Sequence, residues 1–443
     1  MSLQAVRQHI ETSPLRTCQI LVIAFCVAAN LLDGFDILAL TLISPTLSRE
    51  WHLAPQTLGI LFSAGPLGTA VGGFALSPIA DIRGRRGAIL INLVLMSIGM
   101  TLSATAGSVW MLAALRFCTG LGVGANAGCL GTLTFEYCSV RTRTLGLGLV
   151  VIGYTVGTLL GGYVALPLLA AFSWHAVFVF GGLCSIVLLS LVYWLLPESL
   201  DILAARKGPK ALAALNKVLA RLRQPTMAEL PAPVAQAEQG GLLDLLRAPI
   251  LPRTLLMGLA YFMFMMTEYF FLQWNNQLTT NAGFSDSDGL LITRLTSLGG
   301  LAGGIIVGLL GLRLPIRLAG AIALLAMGLG LVAFGAAGTN LPLAQAAAAI
   351  IGFGIFGAAV AVYATGASTF PARVRATGMG IVMSAGRVGS IFGPYTAGLL
   401  LGAQFDRLTV CAALGIPVLL SIAALVKVPL TPVASETARL SLA

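Results

Sequence analysis

Charge is what this sequence has least of. Only 9% of its 443 residues are Asp, Glu, Lys or Arg, against roughly a quarter in a soluble domain. That excludes a soluble enzyme with a basic surface. The net charge of +10 is therefore a question of topology before it is one of nucleic-acid binding. Histidine is nearly absent: His9, His52 and His175 are scattered near helix ends and form no ligand cluster. The seven cysteines (18, 26, 118, 129, 138, 184 and 411) follow no framework spacing, which argues against both a disulfide scaffold and a metal site. Gly120-Leu-Gly122-Val-Gly124 lies inside an apolar run and follows no strand, so it is not a dinucleotide loop. The first apolar run is too long for a signal-peptide core and shows no clear cleavage site; it reads as a retained helix.

What the chain has in abundance is apolar sequence, 57% of its residues. Runs of about 20 apolar residues mark membrane-spanning helices, and twelve are placed here: 17–43, 55–79, 87–106, 109–135, 144–171, 174–196, 253–280, 287–311, 315–335, 340–368, 375–402 and 406–428. The fourth and tenth are rich in Gly and Ala, which lets helices approach closely. With the amino terminus in the cytoplasm, the Lys and Arg residues sort to one side. Only Arg49 and Arg407 fall on the other side, and Arg116, Arg294 and Arg387 lie within the membrane. That asymmetry predicts both termini in the cytoplasm. The expected fold is an all-α membrane protein: a six-helix bundle over 1–196, a cytoplasmic central loop over 197–252 and a second six-helix bundle over 253–443. Within the loop, residues 210–223 can form a basic amphipathic helix carrying Lys210, Lys217, Arg221 and Arg223, read as lying on the anionic inner leaflet.

The two bundles are copies. Arg141-Thr-Arg143-Thr-Leu-Gly146-Leu-Gly148 matches Arg373-Val-Arg375-Ala-Thr-Gly378-Met-Gly380 at an offset of 232 residues (373 − 141). The same offset pairs Gly157 with Gly389, Gly161 with Gly393, Gly68 with Gly300 and Gly72 with Gly304. It also sets Glu268 opposite Asp36. Two parallel repeats place a substrate site between the halves near the midplane.

The charges that remain in the membrane are the candidate site. Asp33 and Asp36, in Asn30-Leu-Leu-Asp33-Gly34-Phe35-Asp36, lie three apart on roughly one helix face, at an insertion cost of about 2.5–3.5 kcal/mol each. Counted from Thr17, Asp33 is about 24 Å along its helix, somewhat outside the midplane, with Asp36 level with Arg116. An Asp36–Arg116 pair is either part of the transport path or a tie between two helices. Arg387 sits near the midplane among glycines, and its guanidinium can hold a carboxylate bidentately. It is the best candidate for an anionic substrate, with Arg116 as a second substrate-binding candidate, and the other reading makes Arg387 the partner of Glu268. Asp33, Asp36 and Glu268 are the proton-coupling candidates. Phe35, Trp274 and Tyr363 are the aromatic side chains that could stack on a substrate. Arg294 reads as snorkelling to the interface. At the cytoplasmic end, Asp81, Arg85, Arg86, Glu136 and Arg141 can form a gating network, which Arg313 and Arg317 in the second copy make asymmetric.

These residues resemble the major facilitator superfamily over essentially the whole chain. The loop after the second span is similar to its Gly-x-x-x-Asp-Arg-x-Gly-Arg-Arg signature, with Ser77 and Ile82 as departures. Asp33-Gly34-Phe35-Asp36, Arg116-Phe-Cys-Thr-Gly-Leu-Gly, Thr134-Phe-Glu136-Tyr137 and Gly386-Arg387-Val-Gly389-Ser390 resemble the aromatic acid:proton symporter family. Asn275-Asn276-Gln277 after Trp274 departs from it. The resemblance implies uptake of benzoate-like acids with protons and a role for both Asp33 and Asp36. The expectation is a monomeric symporter of small aromatic carboxylates in a bacterial inner membrane. It has the bilayer as its surroundings, no nucleic-acid partner, and no cofactor beyond the proton as coupling ion. Importers of dicarboxylates such as muconate, exporters of amphipathic compounds and a transporter-like sensor are the alternatives.

Overall fold

The computed structural model describes residues 16–205, 209–222, 224, 226–227, 230, 245, 250–371 and 374–429. Arg373 and Arg223 lie outside them, as do the side chains of Asp81 and Arg141. In chain order the helices are α1 (Thr17–Glu50), α2 (Pro55–Ala75), α3 (Ser77–Arg83), α4 (Arg85–Ser103), α5 (Val109–Tyr137), α6 (Val140–Ala171), α7 (His175–Leu195), α8 (Leu200–Ala205), α9 (Pro209–Arg221), α10 (Leu251–Asn281), α11 (Asp286–Leu310), α12 (Ile316–Ala336), α13 (Leu341–Thr369), α14 (Arg375–Gly402) and α15 (Arg407–Lys427). Each of the twelve expected spans is a helix here. Eleven are long and apolar enough to cross a membrane on composition alone. The twelfth, α14, carries Arg387 in its middle and many glycines, and its packing on α10 places it.

Two ends differ from the sequence reading for identifiable reasons. The first span does not stop before Ser44-Pro45. α1 runs on to Glu50, with Pro45 inside it. Pro45 has no N–H to give to the carbonyl of Thr41, and the hydroxyl of Ser44 donates to that carbonyl instead, at 2.8 Å. The extension puts Asp33 at the middle of a helix of 34 residues, not beyond the midplane. The second span breaks at Leu76, where Pro78 opens α3.

Several helices begin on a side chain that satisfies their free N–H groups. Ser108 caps α5, Ser285 caps α11 in a capping box, Asn340 caps α13 and Asp406 caps α15.

The chain divides into two compact units between Ala235 and Gln236. Both use one packing scheme. In the first, α1 packs on α6, α2 on α5, and α4 on α5 and α7. In the second, α10 packs on α14, α11 on α13, and α12 on α13 and α15. Close backbone contacts fix the register between the copies. A Cβ on Gly157 would strike the carbonyl of Leu31, and one on Gly389 that of Phe262. Gly68 and Gly72 lie in the same way against the carbonyls of Phe117 and Leu121, and Gly299 and Gly303 against those of Ala349 and Phe353. The fourth and fifth spans therefore repeat at 232 residues (389 − 157), and the first and second at 231 (262 − 31 and 299 − 68). The pairing of Gly68 with Gly300 and of Gly72 with Gly304 is one residue out; Gly304 faces open space. The counterpart of Asp36 is then Thr267, and Glu268 stands opposite Ile37. One residue turns a helix face by about 100°. Thr267 donates to the carbonyl of Leu414 at 2.8 Å and belongs to the packing of its own unit.

The amphipathic helix α9 does not turn its apolar face to a leaflet. Leu215, Val218 and Leu219 are buried in one core with Val22, Phe25, Leu133, Tyr137, Leu196 and Leu200. Burial of an apolar side chain is worth about 1.5–3 kcal/mol, and here protein already provides it. Asn216 pins the following chain by exchanging hydrogen bonds with the backbone of Met227, at 2.9 and 2.8 Å.

Candidate functional site

The charged residues of the amino-terminal unit form two different environments on one helix. Asp36 accepts from Arg116 Nη1 at 2.6 Å. Arg116 Nη2 donates to Ser103 Oγ at 2.8 Å and to the carbonyl of Gly99 at 3.4 Å. The guanidinium lies 4.7 Å from the centre of the Phe178 ring. Arg116 is 3% exposed, so this guanidinium is held on several sides. Asp33, one turn away, has no such clamp. Asn126 lies beside it, yet Asp33 Oδ1 and Asn126 Nδ2 are both buried without a hydrogen bond. Asn92 donates to Asn126 Oδ1 at 3.4 Å. A buried carboxylate beside an amide, on a membrane-spanning helix, is the kind of group found in proton relays. Phe35 points elsewhere: its ring is 5.7 Å from that of Phe180 and packs against Gly161 and Gly181.

In the carboxy-terminal unit, α10, α13 and α14 bring Glu268, Arg387 and two phenols into one region. The ring of Tyr261 lies against Gly386, the residue before Arg387. Tyr363 meets Tyr261 edge to face at 6.2 Å, and its hydroxyl lies 3.4 Å from Met383 Sδ, one turn before Arg387. Arg387 acts electrostatically on both phenols, and Glu268 acts on Tyr261. Glu268 is buried and its Oε2 has no hydrogen-bond partner. Among the described residues Glu268 makes no ion pair, so the alternative reading of Arg387 as its partner is not borne out. Trp274 is fully buried and donates from Nε1 to the carbonyl of Pro394 at 3.1 Å, which ties α10 to α14. The side-chain Oδ1 of Asn275 accepts from the Thr293 hydroxyl at 2.7 Å.

The end network forms within the first unit. Arg85 pairs with Glu136, and Ser199 donates to the same carboxylate at 2.6 Å. Glu198 accepts from the backbone N–H groups of Arg86 and Ser199, at 3.0 and 2.9 Å. Gly84 has φ +99°, and a Cβ there would meet the Glu198 carboxylate; only glycine suits both conditions. Asp81 is in α3 and Arg141 in α6, with their side chains outside the described residues. The second unit has a different arrangement. Arg253 donates to the carbonyl of Thr369 at 3.2 Å, Arg317 to that of Val428 at 3.0 Å, and Arg375 to that of Phe370 at 3.3 Å. Its arginines hold helix carboxy-terminal carbonyls.

Sequence reading missed Asn92, Asn126, Ser103, Tyr261 and Ser199 as neighbours of the charges. Asparagines inside apolar runs were the available signal for two of them. The hydroxyls carried none, because Ser in a membrane helix usually bonds its own backbone, as Ser97 does to Leu93 at 2.7 Å.

Twelve apolar helices in two repeated units, with charged residues buried in them, define a polytopic membrane protein, and the family and relatives it matches make it a transporter and not an enzyme. The Major Facilitator Superfamily model matches residues 25–394 and 257–440, and the chain belongs to that family. A gallate transporter of Pseudomonas putida is 33% identical over 93% of this chain and 92% of its own. A 4-hydroxybenzoate transporter of the same organism is 31% identical over 94% of each. The inward-open xylose transporter of E. coli aligns with a TM-score of 0.72 at 16% identity, covering 96% of this chain and 99% of that one, which supports the fold alone.

Proposed function

We propose that this protein imports small aromatic carboxylates together with protons, by alternating access, across a bacterial inner membrane, with both termini in the cytoplasm and as a monomer. The observation that carries the reading is the cluster of Tyr261 against Gly386 and Tyr363 against Met383, on the stretch of α14 that carries Arg387, with the guanidinium in electrostatic range of both phenols. A benzoate-like anion needs one fixed positive charge and aromatic surface. The similarity to gallate and 4-hydroxybenzoate transporters supports the same substrate class. Asp33 and Glu268, neither of them in an ion pair among the described residues, are the proton sites of this proposal. Asp36 and Arg116 hold α1 to α5 and respond to the charge on Asp33 through their shared helix.

The test is uptake of radiolabelled benzoate, 4-hydroxybenzoate, gallate and muconate by proteoliposomes, with and without a protonophore. Accumulation of the aromatic acids alone, abolished by the protonophore, is the expected result. Preference for muconate, or efflux under an inward proton gradient, would reject it. Asp33→Asn should leave counterflow exchange intact while proton-driven accumulation is lost.

A further inference from the structure

The amino-terminal unit contains a charged cavity apart from the residues proposed above for substrate and protons. It has a volume of about 540 Å³, and Arg86, Tyr193, Trp194, Glu198, Lys217 and Arg221 are among its lining residues. Three elements meet there: the start of α4, the end of α7 and the outer face of α9. Three cations share this lining with one carboxylate, and Glu198 already accepts from two backbone N–H groups. Arg86 spends one nitrogen on the carbonyl of Tyr193, while its Nε is buried with no partner. Like charges gathered in a concave site of reduced dielectric repel one another and draw in an anion.

Position identifies the kind of anion. Tyr193 and Trp194 close the last turn of a membrane-spanning helix, exposed by 54% and 75%. Aromatic side chains in that setting mark the headgroup level of a bilayer. The apolar face of α9 is already buried in the bundle, so Lys217 and Arg221 are left facing outward at that level. We propose that the cavity binds the phosphate headgroup of an anionic phospholipid from the leaflet it faces. The phosphate lies between Arg86, Lys217 and Arg221, and the glycerol and upper acyl chain run along Tyr193 and Trp194. Such a lipid joins α9 to α7 and to the Arg86 turn, and so bears on the network around Glu198.

The experiment is native mass spectrometry of the full-length protein released from bilayers of phosphatidylglycerol and phosphatidylcholine in equal amounts. The wild type should retain phosphatidylglycerol selectively. Each basic side chain near an anionic lipid surface adds about fivefold in affinity, so Lys217→Ala/Arg221→Ala should lose roughly 30-fold. Lys210→Ala, on the same helix but not lining the cavity, should match the wild type. Both removed side chains are exposed; if the double variant nonetheless melts early, Lys217→Ala alone, at about fivefold, carries the test. No selectivity in the wild type, or undiminished selectivity in the variants, overturns the proposal. Displacement of the lipid by millimolar inorganic phosphate, or by an acidic peptide, overturns the lipid as occupant.

Discussion

The two halves share one packing scheme and use charge in opposite ways. In the first half, a buried acid and base are spent on each other: Asp36 and Arg116 are matched, and Ser103, Gly99 and Phe178 surround the guanidinium. In the second half, Glu268 and Arg387 sit on neighbouring helices and do not pair. At the ends of the helices the contrast recurs. The first half builds an acid–base network around Glu136 and Glu198, whereas the second sets arginines on helix carbonyls. Duplication evidently conserves backbone contacts between helices more strictly than the chemistry of the side chains that face inward. One half is anchored by a buried acid–base pair, and the other carries Glu268 outside any ion pair among the described residues.

Breaking the matched pair should have the largest effect. Arg116→Ala strands Asp36 in the interior and should destabilise the protein by about 3–5 kcal/mol. Thermal unfolding in detergent measures it, and Asp36→Asn/Arg116→Gln should restore most of the loss. The same truncation in the other half should leave folding intact. Arg387→Ala should raise KM for an aromatic acid roughly 10- to 100-fold, the worth of hydrogen bonds to a charged group, with little change in melting temperature. Equal melting losses for Arg116→Ala and Arg387→Ala would erase the contrast between the halves. Next in size is Gly84→Ala, which forces a Cβ into positive φ and against Glu198 and should cost about 1–2 kcal/mol. Arg317→Ala, at an end that has no such network, should cost less. The smallest effect concerns caps. Ser108 and Asp406 open helices in the two halves, but only Asp406 titrates. The hydroxyl of Thr409, then the N–H groups of Thr409 and Leu408, hold its carboxyl below the usual carboxylate range. Its contribution is therefore complete above the ordinary carboxylate pKa and fades as the pH falls through the lowered one. Asp406→Ala should flatten the acid limb of a melting-temperature profile slightly, and Ser108→Ala should not.

The architecture was legible because bilayer thickness acts on composition, and composition is visible residue by residue. Asp36–Arg116 was legible too: two charges at one depth in an apolar medium have few other solutions. Three readings failed for physical reasons. The end of α1 was hidden because the Ser44 hydroxyl replaces the N–H that Pro45 lacks. The apolar face of α9 looked like a membrane surface because periodicity shows that a face is buried but not what covers it. Glu268 was set opposite Asp36 because one offset was applied to four helices. The residue gained between the second and fourth spans is invisible to glycine matching, since glycines occur in neighbouring positions there. Tyr261 lay beyond sequence reasoning because its importance comes from contacts across helices, and Asn126 showed only as an asparagine inside an apolar run.

That single-residue slip decides how parts could be exchanged between the halves. A graft of the Asp36–Arg116 tie guided by one offset would recruit Glu268 and turn the carboxylate about 100° away from its partner. The contact register names Thr267 and Ala348 instead, both fully buried at the matching levels of α10 and α13. Thr267→Asp with Ala348→Arg is thus the substitution pair that would give the second half the first half's anchor. It would do so without touching Glu268 or Arg387, so an anchored second half and a functioning one could be compared in the same molecule.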